Sequence, residues 1–329
     1  MNLLTRLTAA AVITAASGTA ALAQKTYISI GSNPIGNTAY QWAAGISDLA
    51  NRNLENVEFT AEGTKGYLAN VALMMDKQIE AGFANSKLAY EAYNALGDFA
   101  DEEPGQIMSW LSVAPILQHV VVPASSDIQS LEDLRAKRVG IGQPGGTSML
   151  DAEILMGAVG LNPESDFEAF RVPLGQMAQM LGDGQIDALV WNGTHPLPPL
   201  LQLQSTSDIR ILPIPGDVVD RIQKVSGAYQ SGEIPANTYK GHIEAIPSYQ
   251  LGNVLVVRAD VSEDIVYETT KLIMENLDHM AGVHPAWGRV SLNTILTGFE
   301  APLHPGALRY YREAGASGIE EFVTRTSKP

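Results

Sequence analysis

The sequence contains no cysteine among its 329 residues. A disulfide framework and thiolate-bound zinc or iron–sulfur sites are therefore excluded, and a chain of this length buries enough apolar surface to fold without cross-links. Positive charge is also scarce, with 21 lysines and arginines against 36 aspartates and glutamates and a net charge of −15. This acidity argues against nucleic acid or an anionic membrane surface as a partner.

Long apolar runs are missing after residue 23, where no segment has 18 uninterrupted apolar residues. The first residues, MNLLTRLTAAAVITAASGTAALAQ, carry one charge, Arg6, ahead of a run of small apolar residues that ends in Ala21-Leu22-Ala23. This pattern predicts a cleaved signal peptide over residues 1–23 and an exported mature chain that begins near Gln24. An uncleaved membrane anchor is the alternative, but the run is slightly short for a span of about 20 residues.

Motifs for covalent or metal catalysis are also missing from the sequence. It contains no G-x-S-x-G, S-x-x-K or H-E-x-x-H pattern, and none of its six histidines pairs at the i, i+4 spacing of a helical zinc site. We therefore predict no catalytic residue, no metal site and no cofactor.

Short β-branched or aliphatic runs alternate with helix-like segments from Tyr27 onward. The strand-like runs are YISIGS, NVEFTAEG, EAGFANS, RVGIGQ, IDALVWN and IRILPIP, and the helices after them are predicted over 36–51, 67–75, 87–94, 148–159, 198–204 and 217–225. Strand, loop and helix in repetition predict an α/β fold with largely parallel sheets flanked by helices.

The two halves of the chain resemble each other, which predicts two lobes of the same construction. In each half a strand ends in a glycine loop that opens a helix, and a second similar segment follows about fifty residues later. The matching pairs are Ile30-Gly31 with Gly36-Asn37-Thr38 against Ile141-Gly142 with Gly145-Gly146-Thr147, and QIEA with Asn85 against QIDA with Asn192. Such lobes place the carboxyl ends of their strands at a cleft.

Two long apolar segments, LSVAPILQHVVVP (111–123) and SYQLGNVLVVRAD (248–260), are predicted to be strands that cross between the lobes as a hinge. Lobe 1 would then comprise residues 24–115 and 250–329, and lobe 2 residues 116–249. Two consecutive domains divided near residue 130 are the alternative.

The loop VGIGQPGGTSML (139–150) satisfies most of two nucleotide-binding motifs. Glycine stands at 146, where a phosphate-binding loop has its lysine, and Asp166 follows a turn instead of closing a strand that would place it at a ribose. Both motifs share unpaired N–H groups at a helix N-terminus, which favour a negative group such as a carboxylate. The alternative is that these glycines only allow helix and strand to pack closely.

Polar side chains at the strand ends provide the remaining candidates for ligand contacts. Lys65 or His195 would neutralise a carboxylate, although a lysine is usually a solvated surface charge. Asn85, Ser86, Asn192 and Thr194 offer donors and acceptors, although such residues also cap helices. The aromatic rings of Trp191 and Tyr40 would cover an aliphatic ligand body or fill the core. The predicted ligand-binding residues are Gly36, Asn37, Thr38, Tyr40, Thr64, Lys65, Asn85, Ser86, Gly145, Gly146, Thr147, Ser148, Trp191, Asn192, Thr194 and His195.

The sequence resembles the TAXI-type substrate-binding proteins of TRAP transporters over nearly the whole mature chain. The resemblance rests on the order and spacing of IGSNPIGNTAY, GTKGYLANVALM with Asn70, QIEAGFANSKLAYEAY, SLEDLRAKRVGIGQPGGTS, DGQIDALVWNGTHP, EIPANTYKG and EDIVYETTKLIMEN. It implies a periplasmic, type II-like binding protein, monomeric, that closes on glutamate, 2-oxoglutarate or a similar small carboxylate. It also implies delivery to an integral membrane permease that an ion gradient drives.

Two loops depart from the pattern of that family. The first has Gly36-Asn37-Thr38-Ala39-Tyr40 where many members have a glycine pair and two aromatics, and the second has Lys65-Gly66-Tyr67 where others have Gly-Gly-Ser. The exact ligand of a relative is therefore not transferred. A secreted α/β hydrolase and a binding protein that reports to a membrane sensor are the alternatives.

Overall fold

The structure, a computed structural model, describes residues 25–326. The predicted signal peptide over residues 1–23 lies outside the described residues. Between residues 25 and 326 no helix is long and apolar enough to cross a membrane.

The first half of the chain builds a five-stranded sheet in the order β2-β1-β3-β12-β4. Its strands are β1 (Thr26–Gly31), β2 (Val57–Glu62), β3 (Ala81–Asn85), β4 (Ile107–Ser112) and β12 (Asn253–Arg258), and the helices between them are α1 (Thr38–Asn53), α2 (Tyr67–Met75) and α3 (Ser86–Asn94). β1, β2 and β3 pair in parallel, whereas β12 returns from the far part of the chain and lies antiparallel between β3 and β4.

The middle of the chain builds the second sheet in the order β10-β11-β5-β8-β6-β7, with β9 paired to β5. Its strands are β5 (Ile116–Pro123), β6 (Arg138–Gly140), β7 (Glu168–Phe170), β8 (Ala188–Gly193), β9 (Ile209–Ile211), β10 (Gln230–Ile234) and β11 (Ile246–Leu251), and its helices are α4 (Thr147–Ala158), α5 (Leu174–Gly182), α6 (Pro198–Leu203) and α7 (Gly216–Gln223). Only β6 pairs in parallel, with β7 and β8.

The last part of the chain packs on the first sheet. It forms α8 (Glu263–Glu275), α9 (Leu277–Val283), α10 (Pro305–Glu313) and α11 (Ile319–Thr326), and side chains from this part share one buried core with residues of β1, α1 and β3. Residues of the second sheet form separate cores on its two faces. We call the first sheet with the C-terminal helices lobe 1, and the second sheet with its helices lobe 2.

The predicted α/β architecture of two lobes, type II-like, is confirmed, but the sheets are mixed instead of largely parallel. Helix bounds differ from the predicted ones by at most two residues: α1 begins at Thr38 and ends at Asn53, against the predicted 36–51. Such shifts are usual at helix ends, where capping loops and first turns share the same residue types.

The prediction of two single crossing strands was wrong. Segment 111–123 contains the end of β4 and all of β5, separated at Val113-Ala114-Pro115, and segment 248–260 contains parts of β11 and β12, separated at Gly252. The strands on either side of each break lie in different sheets and are buried, so the apolar run continues through the break. The chain thus passes between the sheets at residues 113–115 and at Gly252, while the predicted bounds of the two folding units stay a prediction.

Candidate functional site

Two helix N-termini, one from each lobe, face each other across the space between the sheets. α2 begins after Gly66 and α4 after Gly146, and neither N-cap glycine offers a side chain to the first turn. A Cβ atom at Gly66 would lie 3.2 Å from the Cα atom of Gly146, and the φ angle of Gly66 is +127°, which an L side chain rarely adopts. Glycine at these positions therefore lets the two loops approach.

The space between these helix ends is a narrow cavity of about 270 Å³ when the part open to solvent is included, and its enclosed part has room for about one water molecule. Its lining comes from both lobes: Asn33, Lys65, Gly66 and Tyr67 from lobe 1, and Ile116, Gly146, Thr147, Ser148, Trp191 and Asn192 from lobe 2. Among residues 25–326, no hydrogen-bond acceptor is found for the backbone N–H groups of Tyr67, Thr147 or Ser148. Two helix dipoles and their free N–H groups therefore favour a negatively charged ligand in this cavity.

Buried hydrogen bonds hold the lobe 1 loop in this position. The amide of Asn70 donates to the carbonyl oxygens of Ser32 at 2.8 Å and Phe83 at 2.9 Å, and its oxygen lies 2.6 Å from the hydroxyl of Thr64. The hydroxyl oxygen of Thr64 accepts from the N–H of Gly66 at 3.1 Å. Across the cleft, the side-chain amide of Gln143 donates to the carbonyl oxygen of Lys65 at 2.8 Å.

The lobe 2 wall of the cavity is a chain of polar side chains that ends on a buried carboxylate. The hydroxyl of Ser148 donates to the amide oxygen of Asn192 at 2.5 Å, and the amide nitrogen of Asn192 donates to Asp151. The other carboxylate oxygen of Asp151 accepts from the hydroxyl of Tyr229 at 2.5 Å. Burial raises the pKa of Asp151 to about 6, since it penalises the charged form more than these donors and Lys87 stabilise it.

A second set of hydrogen bonds joins the cavity to the crossing points of the chain. The hydroxyl of Tyr67 donates to the amide oxygen of Asn253 at 3.1 Å, and the amide nitrogen of Asn253 donates to the hydroxyl oxygen of Thr194 at 3.2 Å. That hydroxyl in turn lies 3.0 Å from the carbonyl oxygens of Ala114 and Pro115. A residue that lines the cavity is thus connected to both passages of the chain between the lobes.

Lobe 1 also forms hydrogen bonds with the His195-Pro196 segment of lobe 2. The guanidinium of Arg289 donates to the Nε2 atom of His195 at 2.6 Å and to its carbonyl oxygen at 3.2 Å, and the Nε2 atom of His284 lies 3.3 Å from the carbonyl oxygen of Pro196. Burial, with the positive charge of Arg289 added, lowers the pKa of His195 to about 3. His195 is therefore neutral, and its Nδ1 atom is buried with no hydrogen-bond partner among residues 25–326.

The chain belongs to the NMT1-like family. The model of this family matches residues 30–315, which include all of lobe 2, most of lobe 1 and every residue of the cavity lining.

Distantly similar solved structures include binding proteins for small molecules. An alkanesulfonate-binding protein from Xanthomonas axonopodis pv. citri, bound to MOPS, is 13% identical, with 92% of this chain and 85% of that chain covered and a TM-score of 0.43. The periplasmic aliphatic sulphonate binding protein of Escherichia coli is 12% identical, with 93% and 80% covered and a TM-score of 0.42. The substrate binding protein of an amino acid ABC transporter is 13% identical, with 80% and 100% covered and a TM-score of 0.47.

Six of the predicted ligand-binding residues line the cavity of the NMT1-like chain. They are Lys65, Gly146, Thr147, Ser148, Trp191 and Asn192. Gly145 is exposed beside the side chain of Lys65. Thr64 does not line the cavity but stabilises the Thr64–Tyr67 loop through its hydrogen bonds with Ser32 and Gly66. That these residues contact a ligand stays a prediction.

The structure places the other predicted residues around the cavity. Asn85 caps α3 by accepting from the N–H of Leu88, and the Ser86 hydroxyl accepts from the N–H of Gly252 at the crossing. Thr38 lies 3.5 Å from the carbonyl oxygen of Thr194, and Tyr40 is half-buried in α1. Gly36 and Asn37 line a separate groove between the lobes, opposite α5 and α6. The first glycine loop thus does not stand opposite Gly145-Gly146, and the loop at Gly66 does.

Several residues of the site were not predicted from the sequence. Gly66 and Tyr67 could have been predicted, because they follow the same pattern of strand, loop and helix that indicated Thr64 and Lys65. Asn33, Ile116, Asp151, Asn253 and Arg289 approach the site only through the fold. No group of three or more histidines, aspartates and glutamates within residues 25–326 is arranged to hold a metal ion.

Proposed function

We propose that this chain is the periplasmic solute-binding protein of a TAXI-type TRAP transporter and that it captures a small organic carboxylate between its two lobes. The observation that carries the proposal is the meeting of two uncapped helix N-termini, those of α2 and α4, in a cavity shared by both lobes. Backbone N–H groups at such ends bind anions without a catalytic side chain. Membership of the NMT1-like family and the resemblance of the ordered motifs to TAXI proteins support it.

Closure of the lobes follows from the same arrangement. A ligand that contacts both helix ends binds the closed form more tightly than the open form, and it shifts the population by that difference in affinity. The closed form would present the surface that an ion-gradient-driven permease recognises, and glutamate, 2-oxoglutarate and related carboxylates are the proposed cargo. The protein would act as a monomer.

The side chains around the cavity do not favour the alternative of a secreted hydrolase. Ser148 carries a hydroxyl in the first turn of α4, but its partner is the amide of Asn192, which cannot take up a proton as a general base. Prolonged incubation separates the two functions, because an enzyme converts its carboxylate whereas a binding protein returns it unchanged. A binding protein that reports to a membrane sensor shares the same site, and the genes next to this one distinguish it from a transporter component.

A thermal-shift panel of dicarboxylates, 2-oxoacids and acidic amino acids tests the ligand class. A ligand at 100 times its dissociation constant should stabilise the fold by roughly 2.7 kcal/mol. The absence of a shift with every carboxylate would contradict the proposal.

Lys65 tests the placement of the anion. Its side chain is exposed beside Gly145 at the mouth of the cavity, and we expect Lys65→Met to weaken carboxylate binding by about fivefold or more, since an attractive charge near the ligand is lost. Lys137→Met is the matched control, because Lys137 pairs with Asp127 at an exposed position outside the cavity lining. Titration calorimetry of both variants gives the comparison, and equal affinities would remove Lys65 from the site.

A further inference from the structure

We propose that Asp151 makes the lobe 2 wall of the cavity an acceptor of hydrogen bonds, so that the site selects 2-amino carboxylates over 2-oxo carboxylates. The inference rests on the proposed function, since it assumes that the cavity between α2 and α4 holds a carboxylate. It adds a specificity determinant that does not itself line the cavity.

The direction of each hydrogen bond in the wall follows from the carboxylate at its end. An ionised carboxylate only accepts hydrogen bonds, so the amide group that faces Asp151 is the NH₂ of Asn192. The amide oxygen of Asn192 therefore faces Ser148, and the single hydroxyl hydrogen of Ser148 is used on it at 2.5 Å. The hydroxyl of Tyr229 satisfies the second oxygen of Asp151 and keeps the carboxylate in place.

This arrangement leaves two acceptor oxygens for the ligand. Both the Ser148 hydroxyl oxygen and the Asn192 amide oxygen can still accept, and the only hydrogen of the Ser148 hydroxyl is already used on Asn192. The carboxylate of a ligand at the N-terminus of α4 would place its C2 substituent beside them. An ammonium group donates to these oxygens, whereas a 2-oxo oxygen only accepts and would meet unpaired lone pairs.

The charges around Asp151 favour the same choice. Asp151 borders a second groove between the lobes, distinct from the one at Gly36, and Lys87 and Glu91 of α3 lie across it. These two side chains pair with each other at 2.6 Å, while Asp98 and Glu153 on the rim of this groove add negative charge. From lobe 2, the hydroxyl of Tyr229 donates to the carboxylate of Asp151, and the hydroxyl of Tyr249 lies 2.8 Å from the amide oxygen of Gln118 and 3.2 Å from the backbone carbonyl oxygen of Asp151. Asp151 therefore adds a negative potential behind the wall, which stabilises an ammonium group and not an oxo group.

Protonation of this carboxyl, or its replacement by a neutral group, reverses the direction of the hydrogen bonds in the wall. A neutral group at position 151 can donate to the amide oxygen of Asn192, so that the amide turns, its NH₂ group faces Ser148, and the Ser148 hydroxyl hydrogen becomes available to the ligand. The preference for an amino group should then fall in Asp151→Asn. It should also fall in the unmodified protein as the pH drops through the pKa of Asp151.

The test compares pairs of ligands that share a carbon skeleton and differ only at C2, with titration calorimetry at pH 8. Suitable pairs are L-glutamate with 2-oxoglutarate, L-alanine with pyruvate, and L-leucine with 4-methyl-2-oxopentanoate. We expect the amino acid of the tightest pair to bind about tenfold or more tightly than its oxo partner, because the ammonium group donates to the Ser148 and Asn192 oxygens whereas the oxo oxygen meets only their lone pairs. In Asp151→Asn this ratio should fall by about tenfold, whereas in Asp220→Asn, at an exposed position of α7 away from the cavity and the groove, it should not change.

Ser148→Ala provides a second test in case Asp151→Asn does not fold. It removes one acceptor, so the amino acid should lose affinity while the oxo acid keeps it. A purely structural role of either residue would lower both affinities equally and leave the ratio unchanged, which would overturn the inference. An equal or tighter affinity of the unmodified protein for the oxo acids would overturn it too, and the proposed function would stand because a carboxylate still binds. Binding of no ligand in any pair, together with no thermal shift in the carboxylate panel, would overturn both.

Discussion

The shape of the Thr64–Tyr67 loop depends on one buried side chain, Asn70. It is fully buried, and both ends of its amide form hydrogen bonds with backbone or loop groups. We expect Asn70→Ala to lower the free energy of unfolding by about 2–4 kcal/mol, since it removes three hydrogen bonds from a buried position. It should also weaken carboxylate binding, because Gly66 is then no longer held opposite Gly146.

Urea denaturation measures the effect, with Asn94→Ala as the control. Asn94 also sits on a helix of lobe 1 and donates only one hydrogen bond, to the carbonyl oxygen of Tyr90, at a position near solvent. The control should lose less than about 1 kcal/mol. Similar losses in both variants would show that Asn70 has no special role.

The pH dependence of stability also belongs to single residues, above all to His119. Its ring is fully buried in lobe 2, with Nδ1 against the carbonyl oxygen of Leu117 and Nε2 against the hydroxyl of Tyr239, and burial lowers its pKa from 6.5 to about 4. The unfolded chain therefore binds a proton at pH 5 that the folded chain does not. The contribution of His119 to stability is complete above about pH 6.5 and is lost as the pH falls toward 4, by up to about 3 kcal/mol.

We expect His119→Gln to be less stable than the unmodified protein at pH 7.5 but to lose less stability between pH 7.5 and pH 4.5. Urea midpoints at several pH values in this range give the slope. His195 changes stability in the same direction, since its pKa is lowered too, whereas Asp151 opposes it because a raised pKa favours proton uptake by the folded chain. An unchanged slope in the variant would contradict the assignment.

Among the elements, the passage from β11 to β12 at Gly252 leaves little room for a larger side chain. A Cβ atom at Gly252 would lie 2.5 Å from the carbonyl oxygen and 2.7 Å from the Cα atom of Gly298, and backbone cannot move aside as a flexible side chain does. We expect Gly252→Ala to lower the free energy of unfolding by about 2 kcal/mol or more and to weaken ligand binding, since one of the two passages between the lobes is displaced.

Gly157→Ala is the matched control for this substitution. Gly157 lies inside α4, and a Cβ atom there meets nothing within 4 Å. Alanine should therefore raise stability by about 0.5–1 kcal/mol, as expected for a helix interior. Thermal and urea denaturation compare the two variants, and equal effects would mean that the contact with Gly298 relaxes without cost.

Most helices and strands could be predicted from the sequence, because their periodicity and glycine loops are local signals. α2 was predicted with the bounds it has, Tyr67–Met75, and the lobe-like repetition of strand and helix predicted the α/β class. The direction in which each strand pairs could not be predicted. β12 comes from the far part of the chain and lies antiparallel between β3 and β4, and an apolar run such as NVLVVR is the same for either direction.

At the scale of the whole molecule, the sequence could indicate loops but not which loops meet. Gly36 and Gly145 are equivalent positions in the two halves, and this equivalence predicted that both loops lie at the cleft. In the structure Gly66 lies opposite Gly146, and Gly36 borders another groove, because the relative orientation of the lobes depends on contacts far apart in sequence, such as those of Arg289 with His195. This is also why Asp151 and Asn253 went unpredicted.

The contact of Arg289 with His195 should stabilise the closed arrangement of the lobes. Arg289 belongs to the C-terminal part of lobe 1, and its guanidinium donates two hydrogen bonds to one residue of lobe 2. Opening the lobes breaks both bonds and returns the guanidinium to water. We expect Arg289→Ala to shift the free protein toward the open form and so to weaken carboxylate binding by about threefold to tenfold, because a smaller fraction of molecules is competent to bind.

Small-angle X-ray scattering and titration calorimetry test this together. Without ligand the variant should have a larger radius of gyration than the unmodified protein, and a saturating carboxylate should restore the smaller value in both. Arg312→Ala is the control, since Arg312 pairs with Glu320 within the C-terminal helices of lobe 1 and touches no residue of lobe 2 by hydrogen bond or ion pair in the described range. Because the ligand contacts are intact in Arg289→Ala, a loss of affinity without a change in scattering would mean that Arg289 acts on the site and not on the equilibrium between open and closed lobes.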